Sequence, residues 1–317
     1  MGKIPVVAVV GPTATGKTRL AVEISLRYGG EVVSADSMQI YTGLDVGTAK
    51  PSAEEMRGIP HHLIDFLDPS AAFSVADYVG LASEQIAEIY ARGSLPVVAG
   101  GTGLYVRSLL TNISFAPQGR DDALRERLQK KAENEGPESL AEELRSFDPE
   151  SAQRIHPNNI GRMIRAIEVY RVTGVTMTEQ MKRSKEVPPP YNDVVIGLTY
   201  RDREKLYNAI NLRVDKMMQA GLLQEAEKVY QMPFPSTAAQ AIGYKEFFPY
   251  FRGECSLEDS VESVKQESRR YAKRQLTWFR RDEKINWLFV DEAADFGELF
   301  AQTCNIIEQA IPVGSCR

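Results

Sequence analysis

Val6-Val7-Ala8-Val9-Val10-Gly11-Pro12-Thr13-Ala14-Thr15-Gly16-Lys17-Thr18 carries the fold of this chain. Its first five residues are apolar and mostly β-branched, the composition of a buried strand. The next eight fit G-x-x-x-x-G-K-[ST]. Arg19-Leu20-Ala21-Val22-Glu23-Ile24-Ser25-Leu26 follows, with apolar marks at Leu20, Ile24 and Leu26 spaced as on a helix. Strand, glycine loop and helix in this order form the setting in which the motif cradles phosphate. Glycines permit a tight backbone whose N–H groups converge on phosphate oxygens, and the helix N-terminus adds partial positive charge. Gly11, Thr13, Ala14, Thr15, Gly16, Lys17 and Thr18 are therefore the residues expected to bind a di- or triphosphate. Lys17 is expected on the outer phosphate, with the Thr18 hydroxyl on Mg²⁺. The motif alone names neither the ligand nor the reaction.

Outward from this run, strands and helices alternate. Strands are expected at Glu31–Ala35 and Leu95–Ala99, with helices near Pro51–Met56, Val75–Arg92 and Leu104–Leu110. Such alternation implies a parallel sheet with right-handed crossovers and a ligand site beyond the strands' carboxyl ends. Gly11–Thr18, Asp36 and Gly100–Gly103 all fall at such ends. After about Gln118 the composition changes. Asp121–Leu144 is charged and helical, Phe147-Asp148-Pro149 interrupts it, and Ile160 to Tyr170 marks an amphipathic helix ending at Gly174. A polar stretch, Met177–Glu186, leads into Pro188-Pro189-Pro190. A strand resumes at Val194–Tyr200, followed by helical sequence from Asp202 to Tyr230 interrupted near Gly221. A last strand, Trp287–Val290, and a closing helix, Phe296–Ala310, complete the pattern. The expected fold is α/β, a P-loop NTPase-like parallel sheet flanked by helices, built from 1–117 and 190–317, with an all-helical insertion domain over 118–189.

At 317 residues the chain can bury a sizeable core and has room for two domains. No apolar stretch approaches the ~20 residues needed to span a bilayer. The N-terminus runs straight into a strand rather than a leader. Cys255, Cys304 and Cys316 show no metal-ligand spacing, and the two near the C-terminus read as unpaired thiols, which suits the cytoplasm. The net charge of −5 argues against indiscriminate binding to nucleic acid. A local exception is Lys265 to Arg281, with seven basic residues against one acid, Glu267. It reads as a helix whose apolar stripe is Ala272, Leu276 and Phe279. By itself it is equally a solvated face or a phosphate-contacting surface.

Asp36, ending the second strand, is the candidate base. A carboxylate there could hold Mg²⁺ through water, take a proton from a nucleophile, or cap a helix. The third strand ends Val97-Val98-Ala99-Gly100-Gly101-Thr102, without the carboxylate that NTPases place there for Mg²⁺, which weakens an ATPase reading. Asp291 reads as a strand end. Thr102 offers a hydroxyl, and the glycines beside it allow close approach to a substrate. His61-His62 reads as structural, since adjacent side chains point apart. A small-molecule kinase and a nucleotide-gated RNA-binding protein are two readings open at this point.

Several blocks together resemble the tRNA dimethylallyltransferase (tRNA isopentenyltransferase) family of bacterial type. They are Gly11 to Thr18, Ser34-Ala-Asp-Ser-Met-Gln-Ile-Tyr41, Gly47-Thr-Ala-Lys-Pro51, Pro60-His-His-Leu-Ile-Asp65 and Gly100-Gly-Thr-Gly-Leu-Tyr105. Ile155–Glu168, Ala241-Ile-Gly-Tyr-Lys-Glu246 and Arg269-Arg-Tyr-Ala-Lys-Arg-Gln-Leu-Thr-Trp-Phe-Arg280 continue the order across nearly the whole chain. The resemblance implies transfer of a dimethylallyl group from dimethylallyl diphosphate to the exocyclic N6 amine of the adenine 3′-adjacent to the anticodon. It makes Mg²⁺ the cofactor and the tRNA anticodon stem-loop the partner of a cytoplasmic, non-membrane protein, expected as a monomer although the sequence does not give the oligomeric state. A prenyltransferase acting on free adenine nucleotides is the alternative within the same chemistry. Asp36 is then the base, Thr102 positions the adenine and Arg213 contacts the diphosphate. The flipped base would meet Asp36, Ser37, Met38, Gln39 and Thr102. Gly161, Arg162, Met163, Ile164 and Arg165 match tRNA-contacting segments, as do Ala241, Ile242, Gly243, Tyr244 and Lys245. Arg270, Lys273 and Arg274 would meet phosphates. Gly161 departs from the family, which often has a side chain such as Gln at that position.

Overall fold

The structure, a computed structural model, describes residues 2–111, 113, 121–232 and 238–311. They fall into two compact units, Met1–Leu110 with Pro190–Arg317, and Thr111–Pro189. The first opens with β1 (Ile4–Val10), α1 (Lys17–Tyr28), β2 (Gly30–Ser34), α2 (Ala53–Met56), β3 (His61–His62), α3 (Val75–Ala91), β4 (Leu95–Gly100) and α4 (Gly103–Leu110). The second holds α5 (Asp122–Glu135), α6 (Glu138–Arg145), α7 (Pro149–Arg154), α8 (Ile160–Thr173) and α9 (Met177–Glu186). The chain returns to the first as β5 (Tyr191–Thr199), α10 (Arg203–Gln219), α11 (Leu222–Tyr230), α12 (Phe248–Phe251), α13 (Leu257–Phe279), β6 (Asn286–Phe289) and α14 (Phe296–Ala310). No helix among the described residues is long and apolar enough to cross a membrane.

The strands form one sheet in the order β3-β2-β4-β1-β5-β6, every pair parallel. β1 is buried on both faces, which is why its sequence is a continuous apolar run rather than an alternation. Val6, Ala8 and Val10 pack with Tyr78 and Ile86 of α3 and Leu109 of α4. Val7 and Val9 turn to the other face, against Leu20 and Ile24 of α1 and Leu299 and Ile307 of α14. Leu26 departs from expectation: it is 42% exposed, and the buried stripe of α1 ends at Ser25. β2 and β4 lie within a residue of their expected limits, whereas β5 begins at Tyr191, directly after the prolines. β3 was not expected. It is a two-residue edge strand in which His62 meets the Glu31 carboxylate at 2.7 Å and His61 Nδ1 meets the Ile59 carbonyl at 2.8 Å, so both histidines are structural. Asp291 accepts the N–H groups of Arg201 and Asp202 at 2.7 and 3.0 Å, which anchors the loop between β5 and α10.

Taken by itself, the second unit is all helical. Gly136-Pro137 splits the helix expected over 121–144 into α5 and α6. The polar stretch 177–186 forms α9, with Thr176 and Glu179 as a reciprocal cap. Residue 118, the expected boundary, lies outside the described residues, as does Cys316. The core is Leu124, Leu128, Leu140, Leu144, Met163 and Ile167. Beside it lies Glu168, a fully buried carboxylate. It accepts two bonds from Arg125 at 2.7 and 2.8 Å, one from Arg165 at 2.6 Å and the Asp121 N–H at 3.0 Å. Burial alone would raise its pKa, but the two guanidinium groups prevail and hold it at about 2. Removing it by Glu168→Ala should cost about 3 kcal/mol at pH 7. The stabilisation is present above the ordinary carboxyl pKa and lost as pH falls toward 2. The difference between variant and parent in denaturant melts should therefore narrow below pH 4.5 and nearly close at pH 2. A gap constant from pH 7 to 2 would show that packing, not charge, makes the contribution.

Candidate active site

The loops that follow β1, β2 and β4 open into one cavity of about 1070 Å³. Its remaining walls come from residues 45–52, from α10, from 240–242 with Lys245, and from α13. Thr13 to Thr18 line its floor. Gly11 is obligatory for two reasons: its φ is +139°, and a Cβ there would collide with the Leu198 carbonyl of β5. Ala14 also takes a positive φ, +64°, so the loop is bent beyond what its glycines alone supply. Gly16, at φ +83°, caps α1 with no side chain, leaving the first N–H groups of the helix for a ligand. The Thr15 hydroxyl and the Lys17 ammonium both donate to the Pro12 carbonyl, at 3.0 and 2.7 Å.

Arg213 of α10 and Asp36 share this cavity with Lys17. Desolvation lowers the Lys17 pKa to about 7, repulsion from Arg213 adds to the effect, and Asp36 opposes it. Burial also pushes Arg213 down, against the pull of Asp36 and Glu55. Two cations held in one depression, each costly in its charged form, make a site whose natural complement is a polyanion. The Tyr271 phenol is pushed up to about 12 by burial and by the Asp36 carboxylate, against opposing hydrogen bonds with Thr102 and Gln275, so it stays neutral.

Asp36 does not cap a helix. Its Oδ1 accepts the Met38 N–H at 2.9 Å in a local turn, and the residue faces the cavity. Thr102 is not in the cavity lining. Its hydroxyl accepts the Ser37 N–H at 3.0 Å and lies 3.3 Å from the Ser37 hydroxyl, so it braces the turn carrying Asp36. The Gln39 amide is likewise committed within the fold. It donates to the Thr48 and Ala49 carbonyls at 3.3 and 3.0 Å and accepts from Ser34 at 3.2 Å.

The 45–50 loop is held from behind by a residue the sequence did not single out. Glu225 of α11 accepts three consecutive N–H groups, from Asp45, Val46 and Gly47, at 2.8, 2.9 and 2.7 Å, together with the Tyr244 hydroxyl at 2.7 Å. Lys50 fastens the other end on the Tyr41 carbonyl at 2.6 Å and on Asp45 at 2.7 Å. Glu225→Ala leaves three N–H groups and a buried hydroxyl without their acceptor and should destabilise the protein by about 2–4 kcal/mol. A thermal melt unchanged from the parent would show that the loop finds other partners.

The remaining expected residues divide. Ala241, Ile242, Lys245 and Arg274 line the cavity. Gly243 and Tyr244 do not. Tyr244 is fully buried, its ring packed where any side chain on residue 47 would lie, which gives the side chain a place in the core. Met163 and Ile164 are 1% and 7% exposed, in the core of the second unit. Gly161 and Arg162 are exposed on α8, and Arg165 is paired with Glu168. On α13, Arg270 is exposed and paired with Glu267, whereas Lys273 and Arg274 are exposed, with Arg274 over the Tyr271 ring at 5.6 Å. Cys255 and Cys304 are free thiols. Among the described residues no group of three or more His, Cys, Asp or Glu could hold a metal. The Thr18 hydroxyl and Asp36 carboxylate in one cavity nevertheless fit a Mg²⁺ that arrives with phosphate oxygens and keeps its waters.

Comparison with known proteins adds an independent line. The family described as IPP transferase matches residues 39–282, and that described as isopentenyl transferase matches 4–68. A tRNA dimethylallyltransferase of Bacillus subtilis (strain 168) is 49% identical over 294 residues, covering 92% of this chain and 93% of its own. One from Thermoanaerobacter sp. (strain X514) is 47% identical over 299 residues, covering 93% and 95%. Among solved structures, the full-length tRNA isopentenylpyrophosphate transferase of Bacillus halodurans superposes with a TM-score of 0.71 at 44% identity, over 97% of this chain and 98% of its own. A eukaryotic dimethylallyltransferase acting on tRNA superposes with a TM-score of 0.83 at 28% identity, over 97% and 80%.

Proposed function

The chain belongs to the IPP transferase family, and we propose that it moves a dimethylallyl group from dimethylallyl diphosphate to tRNA. The acceptor is the exocyclic N6 amine of the adenine 3′-adjacent to the anticodon, and diphosphate is released. One observation carries the reading: a single cavity joins an anion cradle with two costly cations to a carboxylate, and β4 ends in Gly100 rather than in an acid. Such a site suits departure of a diphosphate better than activation of water. In the transfer, the amine nitrogen bonds to C1 of the allyl group as the C1–O bond breaks. The electron pair goes to the diphosphate oxygen and the amine proton to Asp36. The N–H groups at the start of α1, Lys17 and Arg213 receive the charge that develops on the leaving group. Mg²⁺, held by Thr18 and through water by Asp36, would supply Lewis-acid stabilisation of that same charge. An allyl group, a diphosphate and an extruded base fit together in a cavity of about 1070 Å³, above the usual range for a single small ligand. Lys273 and Arg274 are the exposed cations available to tRNA phosphates on α13, and a tRNA substrate places the work in the cytoplasm.

The test is incubation of the protein with labelled dimethylallyl diphosphate, Mg²⁺ and unmodified tRNA, followed by mapping of the label. Label on the adenine next to the anticodon is the expected result. Label on free adenine nucleotide but not on tRNA overturns the acceptor, and phosphoryl transfer from ATP in place of prenyl transfer overturns the reaction.

A further inference from the structure

We propose that Gln275 is a positioning residue for prenyl transfer, its side-chain amide fixing the distance between the donor loop and the turn that carries the base. Gln275 lies on the inward stripe of α13, between Ala272 and Phe279, and is 6% exposed. Its Oε1 accepts the Thr13 N–H of the donor loop at 3.1 Å. Its Nε2 donates to the Gly101 carbonyl at 2.9 Å. One partner is a donor and the other an acceptor, so the amide has a single satisfied orientation. Beyond Gly101 the connection runs on through direct bonds. The Thr102 N–H donates to the Ala35 carbonyl at 3.1 Å, and the Thr102 hydroxyl holds the Ser37 N–H. Both of these contacts flank Asp36.

Thr13 begins the loop that would hold the diphosphate, and Ser37 follows the residue that would take the proton. Gln275, itself among the residues lining the cavity, is thus a strut between the two halves of the reaction, and the role rests on its two backbone bonds rather than on contact with either substrate. Gly101 is shaped to this contact: a Cβ there would fall on the Gln275 amide nitrogen. An apolar residue at 275 would satisfy the helix stripe equally well but would leave Thr13 and Gly101 without a partner. The inference rests on the function proposed above. Misplacement of reacting groups by about 1 Å costs on the order of 10²-fold in rate while leaving binding largely intact.

The test uses Gln275→Met, which keeps length and loses both bonds, and Gly101→Ala, which displaces the amide from the opposite side. For Gln275→Met the expected result is a fall in kcat of about 10²-fold. Donor Kd and tRNA KM should stay within about threefold of the parent, and the melting temperature should fall by only the few degrees that two unpaired backbone groups cost. Gly101→Ala should fall comparably, and the double variant should fall little further than either, because both remove one contact. Turnover of Gln275→Met within about threefold of the parent overturns the assignment. So does a loss matched by equal losses in donor affinity and melting temperature, which would make Gln275 structural only. If the unaltered protein itself transfers nothing to tRNA, the proposed function fails and this inference with it.

Discussion

Replacing Asp36 by Asn should lower kcat for transfer by about 10³-fold or more, since a general base contributes 10²–10⁴. Asparagine keeps the shape and can still accept the Met38 N–H, so the turn braced by Thr102 should survive. What it loses is the capacity to take the amine proton. Donor affinity has a more particular expectation. Asp36 is one of the charges that favour protonated Lys17, so the variant should bind donor normally near pH 6.5 and more weakly at pH 8. Single-turnover transfer with labelled donor, beside equilibrium binding at the two pH values, separates the effects. An Asp36→Asn enzyme with more than about a tenth of the parental rate would remove Asp36 from the role of base.

Lys17→Met should cost about 10²–10³-fold in kcat by removing a donor aimed at the leaving group. It should also weaken donor binding. The pH dependence identifies the lysine. With its pKa lowered to about 7 in the empty site, Lys17 is charged below that pH and increasingly neutral above it. A diphosphate binds the charged form. Donor affinity should therefore be level below pH 7 and fall by up to about tenfold per unit above it, with proton uptake on binding at pH 8. In Lys17→Met both the slope and the uptake should vanish, which isolates them from the ionisation of the donor itself. A parental affinity that is flat from pH 7 to 9 would assign the cationic part of the cradle to Arg213 alone.

The parts of this protein that are local in sequence were legible there. Val6 to Thr18 is strand, loop and helix start within one short run, and its period, its glycines and its lysine can be read without knowing what lies nearby. Contacts between distant segments were not. Gln275 meets partners 262 and 174 positions away, and a lone polar residue on the stripe of Ala272, Leu276 and Phe279 was the only available signal. Glu225 is a comparable case, because nothing in the periodicity of α11 indicates that its carboxylate closes a loop 178 to 180 positions earlier. Motif position also cannot tell a side chain facing the cavity from its buried neighbour. For that reason Tyr244, Met163 and Ile164 stood beside Lys245 and Arg162 as contact residues until burial separated them. Short polar helices such as α9 escape for another reason: their stability comes from caps and docking rather than from an apolar face of their own.

The register of the sheet has a consequence for how the protein is made. β1 lies between β4 and β5, and its residue Ile4 is paired with Tyr191. On the ribosome, β1, β2 and β4 emerge together and can begin to pair. The far side of β1 must wait while residues 111–189 are synthesised, which takes roughly 4–16 s at bacterial to eukaryotic elongation rates. Those residues form a unit contiguous in sequence and can fold as they appear. The nascent chain meanwhile holds an open, strongly apolar strand edge, the feature that recruits chaperones or seeds aggregation. A chain terminated anywhere before Tyr191 would keep that edge for good, so truncated products should be cleared or aggregate rather than persist as folded fragments.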